Sequence, residues 1–235
     1  MRTLGTLACL SLAACSGSGE SDPQLANTAQ RSFAARDFTA ISLEGPDTVE
    51  IRTGGDFAVE ASGEPAVLDQ LLVKSEGGTL RIGRKARQSW EWPLRSTGSI
   101  TVQMPEIRAA SATGSGAVTL DRADDFSGSV SGSADLTIGM LGGRTVRLAN
   151  TGSGTIAAAG AVDMLSAELK GSGDIAAPQL RAEEASVILQ GSGAAQASVA
   201  GPARVALDGS GTVDLGDMAL CTSTLAGSGS IRCAS

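Results

Sequence analysis

From residue 108 onward, the apolar positions of this chain fall into columns set by a repeated bend. The bends begin at Gly114, Gly132, Gly152, Gly171, Gly191, Gly209 and Gly227, at intervals of 18, 20, 19, 20, 18 and 18 residues. Six read Gly-Ser-Gly, ending at Gly116, Gly154, Gly173, Gly193, Gly211 and Gly229; the second reads Gly132-Ser133-Ala134. Four places past the first bend residue stand Val118, Leu136, Ile156, Ile175, Ala195, Val213 and Ile231, and six places past it Leu120, Ile138, Ala158, Ala177, Ala197, Leu215 and Cys233. Two places before it stand Ala112, Val130, Asn150, Leu169, Leu189, Leu207 and Leu225, with Leu148, Ala167, Val187 and Val205 in a column four places before. Alternation on both sides of a fixed bend is the period-two signature of short, half-buried strands.

Each unit therefore predicts a strand, a tight bend, a second strand and a looser turn. Such a unit covers its apolar face only by stacking on its neighbours, which predicts an all-β solenoid, a parallel β-helix of 18–20 residues per coil. A Gly/Ser-rich chain also suits a flexible linker, but a linker needs no apolar columns. The bend glycines supply positive φ or close backbone approach, and the bend serines are placed for a hydroxyl ladder between coils.

Residues 37–107 lack the strict metre. Strand-like runs occur at Phe38–Leu43, Thr48–Arg52, Phe57–Ala61, Thr79–Ile82 and Ile100–Met104, and Pro65–Leu72 predicts one short helix with Val67, Leu68, Leu71 and Leu72 as its apolar stripe. The run from Leu43 to Val49 reads as a worn bend, so one solenoid domain is expected over 37–235. The segments Phe38–Gly45, Gly77–Ile82 and Ile100–Pro105, followed by serial Gly-Ser-Gly bends, resemble the putative auto-transporter adhesin head GIN domain family over about residues 37–233. The resemblance implies a right-handed parallel β-helix of bacterial envelope proteins and brings no catalytic residues with it.

Residues 1–14 read as an export signal: Arg2 is followed by an apolar stretch too short to span a bilayer. Leu12-Ala13-Ala14-Cys15 resembles the bacterial lipobox, which implies lipidation of Cys15, cleavage before it and membrane attachment through acyl chains. An ordinary secretory signal with a chance cysteine is the alternative. By resemblance to the enteric sorting rule, Ser16 points to the outer membrane, with periplasmic or surface orientation open. Residues 15–36, small and polar, read as a tether.

In an oxidising envelope, Cys221 and Cys233 are expected to pair. They stand six places before and six after the last bend, both in inward columns. Two buried free thiols are the alternative.

A formal charge of −7 argues against nucleic acid as a partner. The chain has no His and no Tyr, which removes the Ser-His-Asp triad and most zinc geometries; no cofactor, metal or catalytic residue is expected. Asp135 and Asp174 share a place in the metre but lie two coils apart, about 9–10 Å, too far for one calcium ion without other ligands.

One segment departs from the small, polar surface: Arg84, Lys85 and Arg87 precede Trp90 and Trp92, the only tryptophans. A loop that stacks Trp on sugar rings and pairs Arg with anionic groups fits this composition, and so does a cap that covers the first coil. The expected function is a non-enzymatic envelope lipoprotein that contacts polysaccharide, lipopolysaccharide or an envelope protein. A polysaccharide-acting enzyme and a purely structural spacer are the alternatives.

Overall fold

A computed structural model describes residues 28–85 and 96–234. Their strands join into one sheet of 19 strands that coils on itself as a parallel β-helix. In the metrical half the strands run β8 (Ala109–Gly114), β9 (Ala117–Asp124), β10 (Ser127–Gly132), β11 (Asp135–Gly142), β12 (Thr145–Gly152), β13 (Thr155–Gly171), β14 (Asp174–Gly191), β15 (Ala194–Val199), β16 (Pro202–Gly209), β17 (Thr212–Asp214), β18 (Leu220–Gly227) and β19 (Ser230–Arg232). These follow β1 (Ala29–Phe33), β2 (Ala40–Gly45), β3 (Thr48–Thr53), β4 (Ala58–Gly63), α1 (Pro65–Gln70), β5 (Leu71–Glu76), β6 (Thr79–Arg84) and β7 (Ser99–Met104).

The bends stack in strict register. Gly45 lies beside Gly114, and the line continues through Gly132, Gly152, Gly171, Gly191 and Gly209 to Gly227. The second bend residue donates its amide to the carbonyl of the first bend glycine one coil back, from Ser115 on Gly45 to Ser228 on Gly209, at 2.8–3.3 Å. At Gly191, φ is +133° and a Cβ would overlap the carbonyl oxygen of Gly171, so both backbone angle and inter-coil spacing demand glycine. Ala134, in the third bend place, has no positive φ and is fully buried. The expected hydroxyl ladder forms one rung within the bends, between Ser172 and Ser192 Oγ at 3.2 Å.

The inward columns are buried along the rod, with Leu136, Ile156, Leu169, Ile175, Leu189 and Val213 each at most 1% exposed. Two departures are informative. Asn150 stands in an inward column and is 1% exposed; its Nδ2 donates to Gly154 O at 2.6 Å and Asp174 O at 3.1 Å, tying its own bend to the next coil. Leu225 occupies the same column in the last described coil yet is 51% exposed, because no further coil among the described residues covers it. Cys221 and Cys233 form a disulfide across that last coil, with Cα atoms 6.1 Å apart.

In the N-terminal half, the order in space differs from the order along the chain. The corner made by β2 and β3 lies against β8 and β9 on one side and against β6 and β7 on the other, all parallel. The chain thus builds the second level first, then the outermost level, and only then crosses over to the metrical coils. Antiparallel strands finish the outer side: β5 on β6, β4 on β7, and β1 on β4. The β5–β6 hairpin turns through Gly77 and Gly78, both at positive φ, as a two-residue turn requires.

Two expectations need correction here. The helix ends at Gln70, and Leu71 and Leu72 open β5; Leu71 is 3% and Leu72 37% exposed, the alternation of a strand. The stretch read as tether contributes β1, because Ala29–Phe33 pairs with the free edge of β4 and Phe33 packs against the core.

Replacing Gly191 by Ala combines a clash with a strained φ, and the expected loss is about 3 kcal/mol or more. Replacing Ala134 by Gly is expected to change stability by about 1 kcal/mol or less. Denaturant unfolding of both variants with the disulfide intact measures the difference.

Candidate functional site

The Gly-Ser-Gly line ends where the outermost coil has no tight bend. Leu43 pairs with Ile82, and this register carries Gly83 and Arg84 beside Glu44 and Gly45; the chain then leaves, and returns at Ser99 beside Thr48. The described residues that flank the place of the bend at this level are Gly83 to Lys85 on the outgoing side and Ser96 to Gly98 on the returning side. Of the residues singled out in the sequence, Arg87, Trp90 and Trp92 lie outside the described residues, as does Cys15.

Both ends of this excursion meet at one carboxylate. Asp47 stands in the third place of the worn bend Gly45-Pro46-Asp47, and it is completely buried. Its Oδ2 accepts Arg84 Nε at 2.9 Å, and its Oδ1 accepts Arg84 Nη2 and, at 2.7 Å, the amide of Gly98. Arg84 Nη2 also donates to the carbonyl of Ser96 at 3.0 Å. The outgoing and returning strands are therefore fastened to each other through a buried, bidentate, charge-assisted pair. The hydrogen bond to Asp47, ahead of the opposing effect of burial, raises the already high pKa of Arg84.

Arg84, a candidate ligand contact from sequence, thus has its guanidinium engaged by the fold: its side chain is 13% exposed and its charge is met by Asp47. Lys85 is differently placed. Its ammonium lies on the surface and donates to the carbonyl of Asp69 at the end of α1, while its amide donates to Gln70 O. The sequence did not single out Asp47. Its signal was an acid in a bend place otherwise held by Gly or Ala, and its partner lies 37 residues away.

The carboxylates elsewhere join coils. Asp135 Oδ1 accepts the amide of Thr155 and Asp174 Oδ1 that of Ala194, both at 2.9 Å and each one coil on. Asp125, at φ +48°, accepts the amides of Arg144 and Thr145 in the next coil, and these bonds, Thr145 first, hold its carboxyl below the usual range. Among the described residues, no three Asp, Glu or Cys side chains converge as metal ligands would. The concavities are shallow and open. One of about 310 Å³ lies at the second corner between Arg108 and Arg122, and one of about 290 Å³ lies on the outer sheet face near Met164, Arg204 and Leu220. No described helix is long and apolar enough to cross a membrane.

Solved structures share this architecture. A protein described as a putative lipid binding protein from Parabacteroides distasonis ATCC 8503 superposes with a TM-score of 0.74 at 21% identity, over 89% of this chain and 98% of its own. A putative adhesin from Bacteroides fragilis NCTC 9343 gives 0.77 at 18% identity, over 88% and 97%. A putative adhesin from Parabacteroides merdae ATCC 43184 gives 0.70 at 16% identity, over 89% and 97%. At these identities the likeness is one of fold. No curated protein matches the chain. The family model described as "putative auto-transporter adhesin, head GIN domain" matches residues 37–217, and the chain belongs to that family.

Proposed function

We propose that this protein is a non-catalytic binding head of the bacterial envelope, tethered to the outer membrane through a lipidated Cys15, and that residues 85–95 present Trp90 and Trp92 to an anionic glycan. The observation that carries the reading is the clamp: a buried ion pair fixes both ends of the one segment that replaces a bend, and the sequence of that segment holds both tryptophans with Lys85 and Arg87. Aromatic faces stack on sugar rings, and guanidinium and ammonium groups meet carboxylate or phosphate. An anionic glycan such as lipopolysaccharide supplies both. Membership of an adhesin-like family and fold neighbours described as adhesins and as a lipid binding protein agree with a surface-binding role.

The test compares the wild-type protein with Cys15→Ser and with Trp90→Ala/Trp92→Ala, by envelope fractionation and by binding to purified lipopolysaccharide. Cys15→Ser is expected to leave the membrane fraction. The double tryptophan variant is expected to fold normally and bind about fivefold or more weakly, since each stacked ring contributes about 0.5–1.5 kcal/mol. Unchanged binding by a folded double variant overturns the assignment of the loop. A Cys15→Ser protein that stays in the membrane fraction overturns the anchor.

Replacing Asp47 by Asn removes the counter-charge of the partly buried Arg84 guanidinium. The expected loss of stability is about 3 kcal/mol, with faster amide exchange at Ser96–Ser99 read by mass spectrometry.

A further inference from the structure

Charge is spread unevenly along this chain. Residues 65–95 hold six Lys and Arg against three Asp and Glu, whereas the rest of the chain holds twelve against 22. Within that stretch, the β5–β6 hairpin turns Leu72, Lys74 and Glu76 outward on one strand, opposite Gly83, Arg81 and Thr79 on the other. Lys74 therefore stands directly across from Arg81, a like-charge pair that costs the hairpin stability. Arg81 reaches Glu44 only at 3.5 Å, with both side chains exposed, and among the described residues Lys74 has no ion-pair partner. Leu72 lies beside this pair, and Gly83 opposite has no side chain to cover it. An exposed leucine among weakly neutralised cations suits a phosphate-bearing lipid surface.

The chain leading from Cys15 enters the fold at the same place. Strand β1 is fastened by Arg31, whose guanidinium donates to Leu68 O at 2.8 Å and to Asp69 Oδ1 at 2.6 Å. Lys85, two places past Gly83, donates to the carbonyl of that same Asp69 at 2.6 Å. The Asp69 carboxylate is thus taken by Arg31, and Lys85 adds a third cation beside the hairpin. The fourteen residues from Cys15 to Ala29 span at most about 50 Å in any conformation, so a lipid on Cys15 keeps this face within that distance of its bilayer.

We infer that the outward face of the β5–β6 hairpin, with Lys74, Arg81 and Lys85 around Leu72, docks on the phosphate headgroups of the membrane that holds the protein's own acyl chains. The rod then stands with its outermost coil on that surface. The inference rests on the proposed lipidation of Cys15. Because the anchor holds the face near the surface, individually weak contacts suffice. The acidic remainder of the chain is repelled by the same phosphates, which sets the orientation. Charges on the edge strand β5 also resist pairing with another chain; that role is indifferent to lipid, so lipid composition separates the two.

The chain has three lysines, Lys74, Lys85 and Lys170, and Lys170 lies far along the rod on β13, which makes it an internal reference. The membrane-extracted protein is reconstituted in vesicles of equal parts phosphatidylglycerol and phosphatidylethanolamine, and in vesicles of phosphatidylcholine. Both are floated and acetylated with a water-soluble reagent, and mass spectrometry reads each lysine. On the anionic vesicles Lys74 and Lys85 are expected to react about fivefold or more slowly, relative to Lys170, than on phosphatidylcholine. High salt is expected to abolish the difference. Arg81→Glu sets a carboxylate opposite Lys74, which favours the hairpin, and is expected to lose the protection with an unchanged β-sheet circular dichroism signal. Equal ratios on the two vesicles overturn the docking and leave the lysines as edge charges only. Protection that survives in Arg81→Glu overturns the assignment of this face. Protein that floats with neither vesicle contradicts the lipidation of Cys15 and overturns this inference with it, so the two failures are told apart.

Discussion

The carbonyl oxygen of each bend glycine, receiving the amide of the bend serine one coil on, is the contact on which the rest of the structure depends. It fixes the spacing between coils at the tightest corner, and the register of both adjoining strands follows. Because a Cβ at the first glycine would overlap that oxygen, the residue type and the inter-coil hydrogen bond specify each other. The inward columns are then in line by construction, and a core of small and medium side chains closes around the axis. Ala158, Ala177, Ala185, Ala197 and Ala203 are all buried, and such a core tolerates little misregister.

The metrical half was legible because its partners are one period apart. Val118, Leu136 and Ile156 are inward for the same local reason, and the reason repeats. Leu225 shows the limit of that logic: its column is right, but burial needs a coil above it as well as below. The N-terminal half hid its order because β6 and β7 stack on the far side of β2 and β3, a pairing no local pattern reports. The worn bend at Gly45 was visible, but its place beside Gly114 was not, because the two glycines are 69 residues apart and the metre is 18–20. Leu71 and Leu72 fitted both a helix stripe and a strand; pairing with β6 decided for the strand.

The candidate site was legible in part. The composition of 84–92 marked it, whereas the use of Arg84 depended on Asp47, which is distant in sequence and adjacent only once the second level has formed. The carboxylates tell the same story. From sequence Asp135 and Asp174 were read only as too far apart to share one calcium ion; in the structure each reaches the next coil and holds a backbone amide there, so side chains supplement the ladder. The proposed binding role is placed where this ladder is interrupted, beside the Asp47–Arg84 clamp of the outermost coil.

Residue-resolved amide hydrogen exchange tests the central claim most directly. The account predicts strong protection of the Ser133, Ser153, Ser172, Ser192 and Ser210 amides, comparable to the buried strands beside them, with Ser228 in the terminal coil less protected. Bend amides that exchange as fast as those of an exposed glycine-rich loop, while the strands remain protected, would contradict it.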